Sequence, residues 1–64
     1  MNNMEQVVAY IKENIEEITK EKGDVAYGTL IGYVETLSII KSVVPESDWK
    51  KLGLDFDLDK RYLI

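Results

Sequence analysis

Cysteine and histidine are both absent from this 64-residue chain, and proline, tryptophan and phenylalanine occur once each. Without cysteine there is no disulfide, and without either residue there is no zinc site of the usual Cys/His kind. Catalysis loses its general base near neutral pH and its thiolate nucleophile. The three serines, Ser38, Ser42 and Ser47, stand in no nucleophile-elbow context. No glycine loop carries the Gly-Lys-Ser/Thr ending that cradles phosphate. The inventory points away from an enzyme and calls for no cofactor and no metal.

Positive charge is also scarce. Eight basic residues face twelve acidic ones, a net charge of −4, and they cluster only as the pairs Lys50-Lys51 and Lys60-Arg61. Nucleic-acid binding draws its affinity from a basic patch, so direct contact with DNA or RNA is not expected. Residues 1–6 are polar and lack the basic n-region of a signal peptide. The long apolar run around residues 25–44 contains Glu35 and Lys41, which are costly in a bilayer. A cytoplasmic protein with no membrane contact is the expectation, and the lack of cysteine fits a reducing compartment.

What the chain does have is hydrophobic periodicity. Met4, Val7, Val8, Ile11, Ile15 and Ile18 form one stripe at helical spacing, with Glu5, Gln6, Glu13, Glu16, Glu17 and Lys20 opposite. A helix is expected over about residues 4–22, with Asn3 as N-cap, a Glu16–Lys20 pair on its surface and Gly23 as its left-handed stop. Asp24 would cap a second helix over about 24–44, ended by Pro45. So tight a connection folds the two into an antiparallel hairpin. Residues 46–52 read as a short third helix in which Trp49 and Leu52 share a side, stopped by Gly53. In residues 54–64, Leu54, Phe56 and Leu58 alternate with Asp55, Asp57 and Asp59, the period of an extended tail with one apolar face. All 64 residues make a single small helical domain.

The second helix carries two apolar sets. Ala26, Leu30, Tyr33, Leu37, Ile40 and Val44 form a core-facing stripe. Val25, Gly28, Gly32, Thr36, Ile39 and Val43 fall on roughly the opposite face. A two-helix hairpin covers one stripe, so the other needs a further partner. A domain of this length buries only about 60% of its unfolded surface, and self-association is the remaining means of support. Two copies would make a four-helix bundle with the second helices central. Gly28-x-x-x-Gly32 suits a close helix crossing, either between copies or inside the monomer, and each glycine costs a helix about 1 kcal/mol relative to alanine.

Other patterns reduce to solvated surface. Asp55-x-Asp57-x-Asp59 imitates an EF-hand loop, but Lys60 replaces the turn glycine and no bidentate glutamate follows. Glu13, Glu16 and Glu17 lie opposite the apolar stripe, where no inward metal site forms. Glu35 shares a narrow polar sector with Ser38 and Ser42 and is expected to be exposed. Tyr27, Ile31 and Val34 make a third apolar edge left open by a hairpin, and Tyr27, Ile31, Trp49, Phe56 and Tyr62 are the candidate contacts for a partner protein. The functional expectation is a non-catalytic homo-oligomeric interaction or regulatory module. The alternative is an acidic decoy that occupies a nucleic-acid-binding protein, with Glu5, Glu13, Glu16 and Glu17 imitating phosphates.

Overall fold

A computed structural model describes residues 3–63; Met1, Asn2 and the tail's last residue, Ile64, lie outside the described residues. The fold is all-α. Helix α1 spans Asn3–Ile18 and packs against α2, Asp24–Val43, as a hairpin. A 3₁₀ turn at Glu46–Asp48 leads directly into α3, Trp49–Leu52, and a short α4 spans Leu58–Tyr62. No strand occurs among the described residues.

Several boundaries differ from expectation, each for a local reason. Asn3 is already helical, so the cap of α1 falls outside the described residues. α1 ends at Ile18, four residues early. The Thr19 hydroxyl donates to the Glu16 carbonyl at 2.8 Å, and the Lys20 and Glu21 amides bond the Glu17 and Ile18 carbonyls, tightening the end into three-residue turns. Lys20 therefore leaves the helix surface and pairs with Glu17 at 3.2 Å rather than with Glu16. Gly23 (φ 109°) is the N-cap of α2 rather than the stop of α1, and its carbonyl accepts the Tyr27 amide. Asp24 makes no side-chain cap and sits in the first turn, where a carboxylate favours the helix dipole.

The tail is not extended throughout. Asp57 adopts an extended backbone and its carboxylate accepts the Lys60 amide at 3.1 Å, capping α4. The alternating aspartates are exposed as expected, while Leu54 and Leu58 are buried. The core comprises Val8 and Ile15 of α1, Leu30, Val34, Leu37 and Ile40 of α2, and Leu52, Leu54 and Leu58 beyond them. Val34 thus belongs to the core and not to an open edge, because the tail adds a third body against α2. Met4 and Val7, expected in the α1 stripe, are exposed.

Gly53 makes the docking of the tail possible. At φ 73° it occupies the left-handed position after α3; its amide bonds the Lys50 carbonyl and the Leu54 amide bonds the Trp49 carbonyl at 2.8 Å. This is the Schellman pattern, which turns the following residue back against the helix. Leu54 is consequently 0% exposed. Leu54→Ala is expected to cost about 2–5 kcal/mol, a large share of the ~3–5 kcal/mol that a core of this size supplies. Asp55→Ala should leave the urea midpoint nearly unchanged, and an unchanged midpoint for Leu54→Ala would show that the tail is not part of the core.

Candidate functional site

Helices α1 and α2 lie side by side, and the segments after Pro45 cover one broad side of the pair. On α1 that side is marked by Lys12, which donates to the Gly53 carbonyl at 3.0 Å, and by Glu5, which faces Lys51 at 3.6 Å. On α2 it is marked by Lys41, which donates to the Phe56 carbonyl at 2.6 Å. The Trp49 indole closes the arrangement by donating to the Lys41 carbonyl at 2.9 Å.

Phe56 sits among three cations. The Lys12 ammonium lies 5.7 Å and the Arg61 guanidinium 4.9 Å from its ring centre, while the Lys41 ammonium lies 4.6 Å from that of Trp49. These distances suit attraction between a cation and an aromatic face. Tyr62 meets Phe56 edge to face at 6.1 Å. Trp49, Phe56 and Tyr62 are therefore half-buried on their own bundle. Of the candidate partner contacts, Tyr27 is exposed beside the 19–23 turn and Ile31 is half-buried.

The other side of the pair is bare. At 100° per residue, Val7 and Tyr10 lie on the flank of α1 turned away from Lys12 and Glu5. Val25, Thr29, Thr36 and Val43 lie on the flank of α2 turned away from Lys41, with Gly28, Gly32 and Ile39 adjoining them. Val25 is 85% exposed, Ile39 62% and Val43 72%, and Gly28, Gly32 and Thr36 are exposed as well. A methyl group placed on Gly28 or Gly32 would meet no other segment or side chain within 4 Å. No close packing inside the monomer accounts for these glycines.

The chemistry of this face is apolar despite its two threonines. The Thr29 hydroxyl donates to the Val25 carbonyl at 3.0 Å, and the Thr36 hydroxyl to the Gly32 carbonyl at 2.9 Å. With those bonds closed within the helix, covering the face leaves neither hydroxyl unsatisfied. Glu35 is exposed at its edge, with Ser38 and Ser42 on the polar sector beyond.

Glu5, Glu13 and Glu16 share a shallow surface depression with Lys12, Lys50 and Lys51, so cations interrupt the acidic face. Among the described residues, no group of three or more acidic side chains is arranged to hold a metal ion, and no helix is long and apolar enough to cross a membrane. The bonds of Lys12 and Lys41 to the tail were not read from the sequence. A lysine set within the apolar run of α2 was the available signal for Lys41.

Comparison with protein-family models, curated proteins and solved structures gives no match for the chain.

Burial raises the Tyr62 phenol above its ordinary value of 10.0, the Arg61 charge opposes this, and the Glu16 charge across on α1 adds to it. A raised folded-state value means that the neutral phenol's contribution to stability is complete below pH 10 and is lost as pH climbs through the raised value. Phenolate absorbance should therefore show a component ionising later than free tyrosine. Tyr62→Phe should remove it, and persistence of that component in the variant would show that Tyr62 is not seated against the bundle.

Proposed function

We propose that this chain is a small non-catalytic cytoplasmic module that associates with copies of itself through the bare side of the hairpin and engages another protein as an adaptor or regulator. The observation that carries the reading is the face of α2 made by Val25, Gly28, Gly32, Thr36, Ile39 and Val43. It is apolar, free of charge and exposed along the length of the helix.

Three physical arguments support self-association. Gly28 and Gly32 together cost α2 about 2 kcal/mol relative to alanine, and nothing inside the monomer packs on them to offset that. The chain exposes 4675 Å², whereas a monomer of 7.4 kDa should expose about 4,200 Å². Among the described residues, most of the large apolar side chains left in water, Val7, Tyr10, Val25, Ile39 and Val43, also gather on the hairpin side that the tail does not cover, while Met4 lies apart beside Val44 and Leu52. Tyr27, exposed on the opposite edge of α2, remains as a contact for a second protein.

Light scattering after size exclusion, over a wide concentration range, is expected to give a mass above that of one chain. Gly28→Leu with Gly32→Leu should weaken association by roughly tenfold or more, because overpacking a close contact costs about 1–3 kcal/mol. The corresponding alanine pair should act in two directions, stabilising the helix by about 1 kcal/mol per site while loosening the assembly. A parent protein that remains monomeric at every concentration, or a leucine pair with unchanged assembly, would overturn the reading.

A further inference from the structure

The face of α2 is uneven along its length, hollow toward one end and raised toward the other. Val25, Gly28, Thr29 and Gly32 stand at the i, i+3, i+4 and i+7 spacing that bounds a hole on a helix surface. The two glycines leave this hole deep and open. Ile39, the bulkiest exposed side chain on the same face, projects from the next turns with most of its surface in water.

We propose that two copies pack antiparallel, α2 upon α2, with Ile39 of each seated in the hollow bounded by Val25, Gly28, Thr29 and Gly32 of the other. This arrangement rests on the self-association proposed above and specifies its geometry. Two separate pairings locate the same two-fold axis. The midpoint between the centre of the hollow and Ile39 falls at the level of Val34, and so does the midpoint between Val25 and Val43. Val25 then meets the partner's Val43, and Gly32 meets the partner's Thr36, a small residue opposite a medium one. A parallel pair would instead set glycine on glycine and Ile39 on the partner's Ile39. The helices would touch at one end and be forced apart at the other, with their N-terminal dipoles side by side.

The area favours a second copy over a single helix as the occupant. At 1.5 Å per residue α2 is about 30 Å long, and a strip about 10 Å wide along it offers roughly 300 Å², well short of the ~800 Å² per partner of a standard interface. A two-fold axis lying across the hairpin also sets α1 upon the partner's α1. That brings in the exposed Val7 and Tyr10 and another strip of about 24 Å by 10 Å. The combined projection is about 540 Å², and side-chain relief carries the accessible area toward the standard value. A single foreign helix lying along α2 would cover only the α2 strip of roughly 300 Å².

Val25→Cys and Val43→Cys chains provide the test, since the parent has no cysteine and both positions are exposed. The two proteins are mixed, allowed to exchange, oxidised under mild conditions and mapped as non-reduced peptides, with mass in solution followed in parallel. The expected product is the mixed 25–43 disulfide in several-fold excess over either symmetric one. Symmetric 25–25 and 43–43 disulfides would overturn the antiparallel geometry while leaving self-association standing. A dimer that forms neither kind would overturn it by moving the contact off this face. Monomeric mass with no crosslink would overturn both this arrangement and the reading beneath it. Ile39→Ala, which truncates an exposed side chain, should leave the helical signal intact and weaken association at least tenfold; unchanged association would also overturn the proposal.

Discussion

The burial of Leu54 is the interaction on which the rest of the molecule depends. Two helices in a hairpin share one line of contact and leave two broad sides in water. The left-handed turn at Gly53 folds the chain back so that Leu54, and Leu58 after it, complete the core on one of those sides. An irregular segment pressed onto apolar side chains must still satisfy its carbonyls. Here one lysine from each long helix does so, Lys12 at Gly53 and Lys41 at Phe56. Both lysines are half-buried and their ammonium groups reach the segment's carbonyls, in keeping with the amphipathic character of lysine. The aromatic rings of Phe56 and Trp49 lie beneath those charges.

Covering one side of the hairpin defines the other. The same helix that uses Leu30, Val34 and Leu37 for the core presents Val25, Ile39 and Val43 to solvent. Threonine is the polar residue chosen there, and its hydroxyls are already spent on the backbone. A face kept in water would gain helix propensity from lysine, glutamate or alanine at Gly28 and Gly32. Glycine gains nothing in the isolated chain, where both positions are open. Composition, hydrogen bonding and shape are the three grounds on which a contact role is proposed for this surface.

The periodicity of the sequence was sufficient for the hairpin and the short third helix because long apolar stripes at 3.6-residue spacing report helices directly. The double patterning of α2 was visible for the same reason. The tail was harder, since Leu54, Phe56 and Leu58 satisfy both a period of two and a capped helix beginning at Leu58. Asp57 decides for the helix by accepting the Lys60 amide, a choice visible only once its backbone is placed. Val34 looked like an edge residue because a two-helix picture leaves its flank open, whereas it is buried in a core that the tail's Leu54 and Leu58 join. The end of α1 at Ile18 was hidden because Thr19 stops the helix by a side-chain bond to its own turn, with no glycine or proline to mark it. Trp49, Phe56 and Tyr62 were recognised as aromatic anchors, but which surface they anchor to is a property of the fold and not of their spacing.

An uncharged apolar face has one weakness as a recognition surface, which is that it carries little information. Burial is non-directional, and a smooth stripe of valine and isoleucine would slide or reverse at small energetic difference. Charged residues commonly set register in helical assemblies, yet Asp24 and Glu35, which border this face, carry the same sign, and Lys41 is committed to the tail on the other side. Shape must then supply what charge does not. A hollow at Gly28 and Gly32 and a projection at Ile39, placed unequally along the helix, make parallel and antiparallel contacts different in depth instead of nearly equal. On that view the two glycines lower the stability of the isolated helix to specify one orientation of the pair, and their position toward one end of α2 matters as much as their small size.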